Sequence, residues 1–152
     1  MNLKYIREEY ELTQEYVASI LGVTRSTYSV WEIESNFIPL NRLIIFCNYF
    51  NVSLDYALGL TKIKSYANMK KDIDYNLHHQ RLKSIRKEHN YTQAKLAYKL
   101  NTENSVISRY EHGTTTILTS FLIEYAKIFN ISCDYLMGRI DEKISIKIPI
   151  SI

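Results

Sequence analysis

Apolar residues recur along most of this chain at three- and four-residue spacing, the period of helices that bury one stripe and wet the other. Leu3 and Ile6 predict a first helix from about Asn2 to Tyr10, and Val17, Ala18 and Leu21 predict a second, capped by Thr13. Gly22-Val23 makes a turn. Thr24 then caps a third helix that presents Arg25, Ser26, Thr27, Ser29 and Val30 and buries Tyr28 and Trp31. After the loop Ser35 to Pro39 a fourth helix runs to Phe50 with Leu43, Ile44, Cys47 and Phe50 inward. Ser53 caps a short fifth helix that Gly59 stops. From Thr92 the pattern returns, with Leu96, Ala97 and Leu100 inward, a break near Asn101-Thr102, and a helix Asn104 to Glu111 burying Val106 or Ile107, and Tyr110. Only the tail changes period: Ile144 to Ile152 alternates strictly, which predicts a half-buried strand.

The return is a true repeat. A shift of 79 residues places Thr13-Gln14 on Thr92-Gln93, Glu32 on Glu111, Asp55-Tyr56 on Asp134-Tyr135 and Gly59 on Gly138, without a gap. Leu3, Ile6, Arg7, Ala18, Leu21, Phe50 and Ser53 find identical residues at the same shift. One register held over a whole domain length is not chance.

Two short helices joined by a tight turn form a helix-turn-helix, whose second helix protrudes and fits a DNA major groove. In the second repeat that helix shows Asn104, Ser105, Ser108 and Arg109 outward, while Gln93 sits at the amino end of the preceding helix, where free N–H groups favour a phosphate. The counterparts in the first repeat are Gln14, Arg25, Ser26 and Thr27. Thr92-Gln93, a turn, Ser105-x-x-Ser108-Arg109-Tyr110-Glu111 and then Gly113 resemble the phage repressor and Cro family, also called the xenobiotic response element (XRE) family, of helix-turn-helix regulators. The resemblance covers both repeats and implies an all-α fold, two tandem five-helix lambda-repressor-like domains at 1–59 and 80–138; between them 60–79 reads as a linker, and the alternating pattern makes 139–152 a strand-like tail. The resemblance also implies that an arginine of each first helix pairs with the glutamate closing each third helix. Arg7 and Glu32, and Arg86 and Glu111, stand 25 residues apart in both repeats and are read as structural salt bridges.

Composition fits a globular protein: of 152 residues, 46% are hydrophobic and 23% charged, enough for two small cores. Glu8, Glu9 and Glu11 near the start argue against a signal peptide, and the longest apolar run, Leu43 to Cys47, is far short of a membrane span, so a cytoplasmic location is expected. Cys47 and Cys133 sit in apolar helical patterns and read as buried reduced thiols. The four histidines have no spacing suited to zinc, and no cofactor is expected. No paired carboxylates, nucleophile with a base, or glycine-rich phosphate loop appears at usable spacing, so an enzyme is not expected.

Charge separates the two repeats: residues 1–59 carry a net −3 and residues 80–138 a net +3. Where the second repeat has Arg109, Lys95, Ser84, Glu124 and His112, the first has Val30, Tyr16, Tyr5, Ile45 and Ile33. Two readings stay open. Either the first repeat mainly makes protein contacts, with weaker DNA contacts, or both repeats read DNA alike on two half-sites. The glycine after the third helix is Gly113 in one repeat and Glu34 in the other, whereas the turn glycine Gly22 becomes Asn101, a tolerated replacement. The linker carries Lys62, Lys64, Lys70 and Lys71 against Asp72 and Asp74, and Asn76 or Asp74 caps the following helix. The tail either pairs with a second subunit or with Thr61 to Tyr66, or frays. The expected function is a double-stranded DNA-binding transcriptional regulator, a repressor by promoter occupancy and a homodimer through the tail or the first repeat. The alternative is a protein-interaction module, such as an antitoxin-type partner.

Overall fold

The computed structural model describes residues 1–146 and separates into two compact units, 1–71 and 72–146. Unit 1 holds α1 (Leu3–Glu9), α2 (Gln14–Leu21), α3 (Arg25–Glu32), α4 (Leu40–Phe50) and α5 (Leu54–Ala57). Unit 2 holds α6 (Tyr75–Glu88), α7 (Gln93–Lys99), α8 (Asn104–His112), α9 (Thr119–Phe129) and α10 (Cys133–Leu136). No strand occurs among the described residues, and the tail beyond Ile146, on which most of the alternating pattern falls, lies outside them.

Local chemistry sets the helix starts. The hydroxyls of Thr13, Thr24, Ser53, Thr92 and Ser132 accept from the amides of Tyr16, Thr27, Tyr56, Lys95 and Tyr135, and the Asp74 carboxylate accepts from the Leu77 amide. Each such cap removes one orphan donor and contributes about 1 kcal/mol. The chain reverses at left-handed residues, and ten of the eleven among the described residues, all but Asn68, fall in five pairs related by the same 79 residues: Glu11 and Asn90, Gly22 and Asn101, Glu34 and Gly113, Asn51 and Asn130, Gly59 and Gly138. Glycine and asparagine tolerate this region and glutamate does not, so unit 1 carries backbone strain at Glu11 and Glu34 that unit 2 lacks.

Each unit wraps one core. In unit 1 Leu3, Ile6, Val17, Tyr28, Leu43 and Phe46 have at most 1% of their surface exposed; in unit 2 the same holds for Leu82, Leu96, Leu122, Ala126, Cys133 and Leu136. Ile44, expected inward, is only half-buried; Phe46 fills that side of α4 instead, its ring tilted against Phe50 at 4.6 Å. Both cysteines are fully buried.

Two features extend past the repeat as the sequence aligns it. Lys64 pairs with Glu9 at 3.0 Å and Lys143 with Glu88 at 2.8 Å, again 79 apart, so each unit closes by tying the stretch after its fifth helix to the end of its first. Backbone bonds accompany the ties, Ser53 N–H to the Lys64 carbonyl at 2.6 Å and Ser132 N–H to the Ile144 carbonyl at 2.8 Å. The second feature is the length of α6, which begins at Tyr75, inside the stretch read as linker. Its added turn is anchored by the fully buried His78, whose Nδ1 lies 2.9 Å from the Leu136 carbonyl, and by Asp74 N–H on the Met137 carbonyl at 3.0 Å.

Candidate nucleic-acid interface

The third helix of each unit is held by one buried-edge network. Arg7 Nε donates to both carboxylate oxygens of Glu32 (3.1 and 2.9 Å) and its Nη2 to Oε1 (2.9 Å), while Nη1 donates to the Leu12 carbonyl at 2.7 Å. Arg86 repeats this on Glu111 (2.7 and 3.3 Å) and on the Tyr91 carbonyl (2.7 Å). One guanidinium therefore fixes the first helix, the turn that follows it and the end of the third helix. The side chains are almost wholly buried, 11% and 1% exposed for Arg7 and Glu32, 8% and 4% for Arg86 and Glu111. The hydrogen bond to Glu32 is the largest influence on Arg7 and raises its pKa above the ordinary value. Burial is the largest influence on Tyr28, whose hydroxyl is pushed far above the usual phenol range, with Glu32 adding to it.

Gln93 and Gln14 join these networks. Gln93 Nε2 donates to Glu111 Oε2 at 2.9 Å, whereas Gln14 Nε2 lies 3.4 Å from Glu32 Oε1. The two glutamines head α7 and α2 beside the third helices, each with an amide oriented by a carboxylate that an arginine already holds. The sequence suggests a phosphate-facing glutamine; the structure adds that this side chain is shared with the salt bridge.

On α8 the side chains of Asn104, Ser105 and Arg109 are exposed, and none has a hydrogen-bond or ion-pair partner among the described residues. Ser108 is half-buried and bonded to His112, whose Nδ1 sits 3.3 Å from Ser108 Oγ and 2.7 Å from its carbonyl. On α3 Arg25, Ser26 and Thr27 are exposed. The hydroxyls of Ser26 and Thr27 are both engaged by the Thr24 cap, at 3.1 and 2.9 Å, so they are less available than their position suggests. Glu34, in the loop after α3, accepts from the amino group of Met1 at 2.5 Å.

Sequence reasoning missed a lysine pair. Lys95 and Lys99 lie over the Tyr91 ring, at 4.1 and 5.9 Å from its centroid, which sets two cations on one side of α7. Their spacing, Tyr91, Lys95 and Lys99 at four-residue intervals, was the available signal.

The contrast in net charge depends on where the repeats are bounded. Residues 1–71 hold eight basic and seven acidic side chains and residues 72–146 hold ten and nine, so both units carry +1. The linker lysines offset the acidity of the first repeat, and any difference between the units is local to particular faces.

Among the described residues no group of three His, Cys, Asp or Glu side chains could hold a metal ion, and no helix is long and apolar enough to cross a membrane. Residues 3–56 match a family described as helix-turn-helix, and residues 79–142 match a second, described as helix-turn-helix domain. Over 59 residues the chain is 41% identical to a protein of Bacillus subtilis (strain 168) described as uncharacterized HTH-type transcriptional regulator YobD, covering 39% of this chain and 53% of that one. From the same organism, HTH-type transcriptional regulator ImmR is 38% identical over 60 residues, covering 40% and 47% of the two chains. Uncharacterized HTH-type transcriptional regulator YqaE is 42% identical over 57 residues, covering 38% and 49%. The chain spans about half the length of these curated relatives. No solved structure matches it significantly.

Proposed function

Because the chain belongs to the XRE-type helix-turn-helix regulators, with two copies of the domain in tandem, we propose that it binds double-stranded DNA sequence-specifically and regulates transcription by doing so. The observation that carries this is a third helix whose outward side chains, Asn104, Ser105 and Arg109, have no protein partner among the described residues while its inner edge is fixed by Arg86 and Glu111. Such a helix enters a major groove with its amino-terminal residues at base edges and the guanidinium at a guanine or a phosphate. Gln93 anchors the backbone beside it, its second amide N–H left for a phosphate oxygen while the first is held by Glu111.

The activity is recognition without bond-making, and repression follows from occupying a promoter. A second copy of the chain pairs with the first through the tail or through unit 1. That part is tested by the solution mass of a chain shortened after Ile146, a boundary that keeps the buried Ile140 and Ile146 in place. The main test is selection of bound sequences from random duplex DNA followed by a salt titration. A selected motif whose affinity falls steeply with salt supports the reading, and failure to enrich any motif refutes it. The second reading is a protein-interaction module, favoured by the exposed Tyr5, Tyr10, Tyr16, Ile33 and Ile45 of unit 1. It replaces the first if the chain binds no duplex even at about 50 mM salt.

A further inference from the structure

The two units share a backbone but present different chemistry around the third helix. In unit 2 Arg109 is exposed and Lys95 stands over Tyr91; at the equivalent places unit 1 has the half-buried Val30 and the exposed Tyr16. Tyr16 is committed elsewhere, its hydroxyl 3.3 Å from that of Tyr49, whose ring packs edge-on to Phe50 at 5.0 Å. The loop after α8 is Gly113-Thr114-Thr115-Thr116, all exposed, a run of hydroxyls able to donate to phosphate oxygens. At the equivalent positions the loop after α3 has Glu34-Ser35-Asn36-Phe37, all exposed, with Phe37 46% accessible and the preceding Ile33 70%. Arg25 is the one exposed cation on α3, and Glu15 and Glu34 flank it in sequence on either side of the helix. A phosphate backbone meets two exposed cations and a threonine loop on unit 2, with Glu103 as the carboxylate at the head of α8, and on unit 1 meets Arg25, the polar Ser35 and Asn36, the carboxylates Glu15 and Glu34, and the apolar Ile33 and Phe37.

We infer that unit 2 supplies nearly all of the DNA affinity, through Arg109, Lys95 and the threonine loop, and that each chain therefore reads one half-site. This rests on the DNA-binding reading above and narrows it to one of two helices. It does not depend on net charge, which is equal in the two units.

The test uses the full chain and a short fluorescent duplex of random sequence, titrated by anisotropy between about 50 and 200 mM salt. Arg109→Ala and Lys95→Ala are each expected to weaken binding on the order of tenfold and to flatten the logarithmic salt slope by about one. Arg25→Ala is expected to change affinity by less than about twofold. Val30→Arg, which places in unit 1 the cation that unit 2 has, is expected to tighten binding severalfold, a gain that a folding defect cannot imitate. Equal losses for Arg25→Ala and Arg109→Ala, a larger loss for Arg25→Ala, or no change with Arg109→Ala overturn the assignment while leaving DNA binding in place. A wild-type chain that binds no duplex at the lowest salt overturns both.

Discussion

Removing the Glu32 carboxylate should unfold unit 1 at far lower denaturant, and the single tryptophan makes this measurable. Glu32→Ala deletes three guanidinium contacts of 2.9–3.1 Å and leaves Arg7 with the Leu12 carbonyl and, at 3.9 Å, the exposed Glu8. Orphaning one partner of a buried pair costs about 3–5 kcal/mol, and the remaining contacts of Arg7 put the expected loss near the lower end. A unit of 71 residues has a total stability of about 4–10 kcal/mol. With a urea slope of about 1 kcal/mol per molar, the midpoint falls by roughly 3 M. Trp31 is 5% exposed, packs edge-on to Tyr28 at 6.3 Å and is the only tryptophan, so its fluorescence follows unit 1 alone. The double variant Arg7→Met with Glu32→Leu removes both charges and should recover most of the loss. Glu9→Ala breaks the solvent-exposed pair with Lys64 and should leave the midpoint where it was. A Glu32→Ala shift under about 1 M, or a double variant no more stable than the single one, would refute the reasoning.

His78 makes unit 2 acid-sensitive: burial lowers its pKa to about 4 from a usual value near 6.5, so the unfolded chain takes up the proton first. Stability is flat above pH 6.5 and falls on acidification toward pH 4 by up to about 3 kcal/mol; in His78→Gln the urea midpoint should lose that slope, and an unchanged slope would count against it. Gly113 is left-handed at φ 78°, and an added Cβ would stand 2.5 Å from the His79 ring. Gly113→Ala should therefore cost about 1–3 kcal/mol by thermal melting, and His79→Ala in the same chain should return the part due to the clash. Glu11 occupies a left-handed position that Asn90 fills in unit 2, so Glu11→Asn should stabilise unit 1 by about 0.5–1 kcal/mol, and a lowered Trp31 midpoint would contradict the strain described at Glu11.

The helices were legible where their cause is local. Thr13, Thr24, Ser53 and Thr92 cap in the structure as their positions predict, because a cap depends on a few neighbouring residues. Ile44 and Phe46 were harder, since both border the stripe defined by Leu43, Cys47 and Phe50 and only packing decides between them. The start of α6 was legible from its cap, since Asp74 accepts from the Leu77 amide; the anchoring of its first turn was not, because the partners of His78 and of the Asp74 amide, Leu136 and Met137, lie about sixty residues ahead. At the interface, outward position was readable from periodicity. Which outward groups are already occupied was not: the Ser26 and Thr27 hydroxyls turn to Thr24, and Gln93 turns to Glu111. Those contacts depend on side-chain direction, which a one-dimensional pattern does not carry.

The stretches that follow the fifth helices say where this chain can be dissected. A boundary drawn at Gly59 would strip from the amino-terminal half the Ser53 N–H bond to the Lys64 carbonyl at 2.6 Å, the Tyr66 hydroxyl bond to Asp55 at 2.8 Å and the Asn48 bond to the Lys71 carbonyl at 3.0 Å, contacts that outweigh the exposed Lys64–Glu9 pair. Cleavage after Lys71 leaves both pieces with their fastenings intact. Isolated fragments made at that bond are the ones expected to stay folded.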